Sequence, residues 1–220
     1  MKLIPPTPKN NQSQAEIKVF DRLLAAFSNE QQFTAYHSLG LSEHEYKKVG
    51  EADFVIVCPF GIYVLEVKGG SVSCQQGRWN TTGRYHHSAI QDPFEQAKSA
   101  MYAIRHSLET RGIHLKSNLY GFGVIFPDVA WNVSSTEWSD NYLCDTHKMR
   151  NFEAWLQDMF SHWRSKDDDS HLLSISELEQ ITQLLRNSPQ LTSLFSRDQE
   201  SSIIAPHECR RSSWAVIRRQ

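Results

Sequence analysis

The stretch Asp53-Phe54-Val55-Ile56-Val57-Cys58-Pro59-Phe60-Gly61-Ile62-Tyr63-Val64-Leu65-Glu66-Val67-Lys68 decides the fold. Its first six residues form an apolar run rich in β-branched side chains. Pro59-Phe60-Gly61 is turn chemistry, and Ile62 to Lys68 reads as a second strand. Apolar residues follow one another in both runs rather than alternating with polar ones. Each strand therefore buries two faces and sits centrally in its sheet. A sheet covered on both sides predicts an α/β domain, a mixed central β-sheet flanked by helices.

Helical patterns lie on either side of this hairpin. From Gln14, the residues Ile17, Phe20, Leu23, Leu24 and Phe27 recur at helical spacing. Asp92-Pro93 is a helix start, with Asp92 as N-cap, and Phe94, Ala97, Met101, Ile104 and Leu108 face inward. Tyr120 to Phe126 is a further strand, stopped by Pro127-Asp128, and Tyr142 to Cys144 suits a short edge strand. Phe152, Trp155, Leu156, Met159 and Phe160 mark another helix. Ser174 with Glu177 is a capping box for the next, carried on by Leu178, Ile181, Leu184 and Leu185. Phe33 to Leu39 and Ser71 to Cys74 read as weaker strands, residues 80–90 as a loop, and Ser188-Pro189 as the start of a short helix. The expected organisation is a flexible leader over 1–13, a core over 14–130, a C-terminal strand and helical extension of the same domain over 131–200, and a tail over 201–220.

Composition narrows the function classes. Of 220 residues, 23 are Lys or Arg and 25 are Asp or Glu, a formal net charge of −2. A polycation that coats nucleic acid through bulk charge is excluded, so any nucleic acid must meet a local basic patch. No apolar run is long enough for a membrane span, and the proline-containing start lacks the apolar core of a signal peptide. Four scattered cysteines, Cys58 among them as a small buried hydrophobe, fit reduced thiols and a cytoplasmic protein.

The chemistry-bearing residues sit in the hairpin. Asp53, Glu66 and Lys68 are charges in apolar strands, and isolated buried charges are costly. Glu66 and Lys68 share one face of their strand. A turn centred on Pro59-Phe60 sets Asp53 opposite Glu66, and one centred on Phe60-Gly61 sets it opposite Lys68. Either register puts all three on one side. Two carboxylates and an ammonium suit a hard cation such as Mg²⁺ or Mn²⁺. A structural ion cluster, with Lys68 satisfying both acids, is the competing reading.

Five ordered segments resemble a known family. They are Glu16 on the opening helix, Glu51 to Val57, Gly61 to Gly69, Gly77-Arg78-Trp79, and Asp92-Pro93-Phe94-Glu95-Gln96-Ala97. Together they resemble the nuclease-related domain, NERD, of the restriction-endonuclease-like PD-(D/E)xK superfamily, over roughly residues 14–130. The resemblance implies that Asp53 and Glu66 ligate a metal and that Lys68 positions the attacking water. It places Glu16 at the rim and Gln96 near Lys68 or a phosphate. Ala52 stands where the superfamily's nominal proline falls, and Ala100 where some relatives carry a tyrosine. The activity implied is Mg²⁺-dependent hydrolysis of DNA phosphodiester bonds, in host–phage defence or DNA processing. Such domains often accompany helicase or kinase modules. No P-loop pattern occurs here, so a motor would be a separate helicase or ATPase chain.

Other readings compete. Arg78, Trp79, Arg84, Tyr85, His86 and His87 form a basic-aromatic stretch in which aromatics stack on bases and Arg or His meets phosphates. The alternative is a surface loop with Trp79 packed beneath it. Cys144 and His147 with His207 and Cys209 have the elements of a zinc site, at irregular spacing. Arg210, Arg211, Arg218 and Arg219 give the tail a basic end. The alternative functions are a catalytically silent module that binds nucleic acid or docks a partner, and a nuclease subunit activated by a partner ATPase. The C-terminal helices serve as a cap over the sheet or as a surface for an oligomer.

Overall fold

The computed structural model describes residues 1–8, 13–41, 50–82, 87–167 and 171–186. The hairpin read from sequence lies at its centre: β3 (Gly50–Cys58) pairs antiparallel with β4 (Gly61–Val67). All seven β4 residues are buried. The six-stranded mixed sheet adds β1 (Lys2–Ile4) and β2 (Thr34–Leu41) on one side, and β8 (Tyr120–Ile125) and β9 (Leu143–Cys144) on the other, in the order β1-β2-β3-β4-β8-β9. β4 and β8 run parallel, as do β8 and β9. The intervening β5 (Ser71–Gln75), β6 (Arg78–Thr82) and β7 (His87–Ile90) form a separate antiparallel sheet.

Helices cover both faces, as a doubly buried sheet requires. α1 (Gln14–Ala25) and α3 (Phe152–Arg164) pack on one face, against Phe54, Ile56, Tyr63 and Leu65. α2 (Pro93–Glu109) and α4 (Ile175–Arg186) cover the other, against Val55, Val57, Ile62 and Val64. Strict alternation along β3 and β4 thus splits one apolar run into two cores. Burial of this kind stabilises by roughly 25 cal/mol per Å² of apolar surface, so these cores dominate the fold's stability. A Cβ on Gly121 of β8 would lie 2.5 Å from the Trp163 ring, so glycine lets α3 approach the sheet closely.

Local signals set the helix ends. Ser13 and Glu16 form a reciprocal capping box at the start of α1. Asp92 accepts from the Phe94 and Glu95 amides at the start of α2, with Pro93 in the first turn. Ser174 and Glu177 do the same for α4.

Three expectations are corrected. Residues 1–13 do not begin as a flexible leader. Lys2–Ile4 pair parallel with Thr34–Tyr36, and Met1 and Leu3 are buried. Residues 80–90 contribute to β6 and β7 rather than forming a loop throughout. Their strands are short and polar, and a turn with Gly77 at φ 72° leads into β6. In α1 the buried stripe is Ala15, Val19, Phe20 and Leu23, while Leu24 is 51% exposed. The inward face thus runs through Ala15, which rests against Gly69, and leaves Leu24 outside it. The short helix at Ser188-Pro189 and the tail over 201–220 lie outside the described residues.

Candidate functional site

The turn between β3 and β4 is Pro59-Phe60, with Cys58 opposite Gly61, and the last pair of the ladder is Phe54 opposite Leu65. Carried one residue further, this register sets Asp53 against Glu66, the first of the two alignments the sequence allows. Where the ladder stops, the Val67 amide donates to Asp53 Oδ2 at 2.8 Å. The carboxylate thus stands in for a strand acceptor and is tied to β4. On the other side the Lys68 amide donates to the Ile125 carbonyl at 2.9 Å, which keeps the end of β4 fixed to β8.

Glu66 is buried, only 4% exposed, and Lys68 reaches it with Nζ 2.6 Å from Oε1. The Lys68 side chain is 23% exposed, so the pair opens to solvent through the lysine. Burial pushes the Glu66 carboxyl up. Lys68 pulls it back, and Glu16 and Glu51 push it up again. Among the described residues, Asp53 forms no ion pair. Burial first, then the negative charge of Glu66, push it up to about 8 against the favourable Val67 hydrogen bond. Glu16 adds to this rise and Lys68 only partly offsets it. Among the described residues, Lys68 is the one cation acting on both carboxylates and it is paired with Glu66, which leaves the cluster short of positive charge.

Gly69 and Gly70 fix the chain just beyond Lys68. A Cβ at Gly69 would lie 2.7 Å from the Ala15 Cβ, so glycine allows the first turn of α1 to rest against the end of β4. The Gly69 carbonyl accepts from Thr81 Oγ1 at 2.9 Å. The Gly70 amide donates to Asp128 Oδ2 at 2.9 Å, and Asp128 Oδ1 pairs with Lys18 of α1. Burial pushes the Asp128 carboxyl up, but its bonds to Lys18 and Gly70 outweigh that and hold it below the usual carboxylate range. Sequence reasoning read Asp128 only as a strand stop. Its signal was position: it follows β8, the parallel neighbour of β4, at the end where Lys68 lies.

The structure brings Asp53, Glu66 and Lys68 together, with Glu16 close enough for its charge to act on both acids. The Glu16 carboxylate is itself engaged by Ser13, whose hydroxyl donates to Oε1 at 2.7 Å. Gln96 lies in the first turn of α2, the helix that covers β4 and β8. Its Oε1 is buried without a hydrogen-bond partner among the described residues. An orphaned buried acceptor is a place for a bound donor.

The basic-aromatic stretch is corrected in part. Trp79 is 3% exposed and packs among Phe94, Phe126, Trp131 and Trp138, so it offers no face for a base to stack on. Arg78 is exposed. Arg84 and His86 lie outside the described residues, as do His207 and Cys209 of the zinc alternative. Cys144 of that alternative is fully buried, and burial, then the negative charge of Asp145, raise its thiol well above the ordinary range, the opposite of a metal-ready thiolate.

Among the described residues, no three His, Cys, Asp or Glu side chains converge into a metal cage. Two carboxylates nevertheless suit a hard divalent cation, which commonly takes one or two carboxylates and fills its remaining positions with water and phosphate oxygens. The donor set therefore fits such an ion. Two larger cavities, of about 710 and 620 Å³, include Pro59 or Val57 near the hairpin turn and none of the three charged residues. Their size reflects gaps between helices and sheet and carries no argument about the chemistry.

The family model described as nuclease-related domain matches residues 12–127, more than half of the chain. The matched stretch runs from α1 to β8 and contains Glu16, Asp53, Glu66, Lys68 and Gln96. No curated protein and no solved structure matches the chain. Among the described residues, no helix is long and apolar enough to cross a membrane. With more than half its length matched and an α/β core of this organisation, the chain belongs to the nuclease-related domain, or NERD, family.

Proposed function

We propose that this protein is a divalent-cation-dependent deoxyribonuclease whose centre is Asp53, Glu66 and Lys68. The observation that carries the reading is this shortage of positive charge: the buried Glu66 and the half-buried Asp53 are neighbours, Lys68 is paired with Glu66, and burial first, then the charge of Glu66, push Asp53 up to about 8. Asp53 and Glu66 would hold Mg²⁺ or Mn²⁺. When bound, the ion supplies Lewis-acid stabilisation of a phosphate oxygen and acidifies water.

The protein's own groups supply the rest. Glu66 holds the Lys68 ammonium, which orients the attacking water and faces the charge that grows on the phosphoryl oxygens. The Val67 amide keeps the Asp53 carboxylate aimed along β4. The Gln96 carbonyl oxygen, buried and without a partner among the described residues, would accept from Lys68 or from water once substrate is bound. Glu16 at the rim raises the demand for positive charge. In hydrolysis the water oxygen bonds to phosphorus as the bond to the leaving sugar oxygen breaks, the water's proton passes to solvent and the leaving oxygen takes one from solvent. The negative charge that develops falls beside Lys68.

Supercoiled, linear duplex and single-stranded DNA incubated with the full chain and Mg²⁺ or Mn²⁺ test the reading. Metal-dependent nicking or degradation is expected, with the rate falling at least about a hundredfold when EDTA removes the ion. DNA binding without cleavage, unaffected by Asp53→Ala, would instead identify a silent binding module. A role in host–phage defence and delivery of DNA by a helicase or ATPase subunit extend the proposal. Cleavage gained on adding such a subunit supports that extension.

A further inference from the structure

Trp79 is sealed in the core, so the polymer needs another holding surface. An open cleft of about 570 Å³ lies between α1 and the Thr146–Arg150 stretch. Its lining carries Lys18 and Arg22 from α1 and Arg150 from the turn before α3, against the acid Asp21. Arg22 and Arg150 are exposed and make no ion pair among the described residues. In a chain of net charge −2 this is a local departure toward positive charge.

A chain of polar contacts links the lining of the cleft to the site. Lys18 pairs with Asp128, and Asp128 accepts from the Gly70 amide, two residues beyond Lys68. With Lys18 held by Asp128, Arg22 and Arg150 remain to contact phosphates.

We propose that this cleft binds the sugar–phosphate backbone of DNA leading to the Asp53–Glu66–Lys68 centre, through Arg22 and Arg150. The inference rests on the nuclease reading and adds the surface that holds the substrate. It concerns backbone contacts, which give affinity and register without sequence preference.

The test is fluorescence anisotropy of a labelled DNA duplex with the full chain in EDTA, between about 50 and 200 mM salt. Arg22→Glu with Arg150→Glu is expected to weaken binding by roughly tenfold or more and to reduce the slope of log affinity against log salt by about 2. Arg111→Glu is the control. It lies beyond α2, at the end where Arg105 stacks over Tyr120, away from the site, and should leave binding unchanged. Unchanged melting temperatures show that the exposed substitutions leave the fold intact. Equal affinity and slope in wild type and the double variant would overturn the cleft assignment and leave the nuclease reading standing. A wild-type protein that fails to bind DNA would overturn both.

Discussion

Asp53→Asn is expected to make the metal-free protein more stable and to abolish cleavage at once. The Asn side chain keeps an oxygen for the Val67 amide and removes a charge that Lys68 only partly offsets. In the folded protein the Asp53 carboxyl titrates near 8, above its ordinary value of 3.8. A group raised on folding contributes its stability in full below the unfolded value and loses it as pH rises through the folded one. Wild type and variant should therefore have similar stability near pH 4 and diverge up to about pH 8. There the variant is favoured by a few kcal/mol, or roughly 5–10 °C in melting temperature. Mg²⁺ should raise the melting temperature of wild type and not that of the variant. Cleavage should fall about a thousandfold or more, the several kcal/mol that metal Lewis acidity contributes. Thermal melts from pH 4 to 8, with and without Mg²⁺, and plasmid cleavage check the three effects together. A variant less stable than wild type at pH 8 contradicts the charge argument.

Lys68→Met is expected to lower cleavage by about a hundred- to a thousandfold, the loss typical of removing one group aimed at transition-state charge. It also takes the counter-ion from Glu66, which is buried and bonded to Lys68 at 2.6 Å. Its carboxyl should rise further, and a proton there competes with any cation. The variant should need more Mg²⁺ for half-maximal stabilisation at pH 6 than at pH 8, by a wider margin than wild type. Lys68→Arg separates catalysis from a purely structural pair. It keeps a cation for Glu66 and so most of the stability, while its planar fork misplaces the donors and should restore little cleavage. Full activity in Lys68→Arg would assign the lysine to structure alone.

Much of this architecture was legible in the sequence, for identifiable reasons. Continuous apolar runs from Phe54 to Cys58 and from Ile62 to Leu65 announced a sheet buried on both faces. Capping residues Asp92 and Ser174 announced two helix starts. The one-sided placement of Asp53, Glu66 and Lys68 followed from strand alternation under either turn. What was not legible depends on distant partners. Lys2–Ile4 become a strand only because β2 offers an edge. The polar β6 and β7 carry no period that marks them as strands. Trp79 looked like a recognition residue in a basic stretch until Phe94, Trp131 and Trp138 closed around it. Asp128 gains its role by reaching Lys18 and Gly70, which are far from it in the chain.

Crystals soaked in Mn²⁺ and examined by anomalous scattering measure the central claim directly. An anomalous peak within coordinating distance of both the Asp53 and Glu66 carboxylates, absent from Asp53→Asn crystals, is the predicted result. Ordered Mn²⁺ elsewhere on the protein, with the Glu66–Lys68 pair intact and no peak between the two acids, would contradict it.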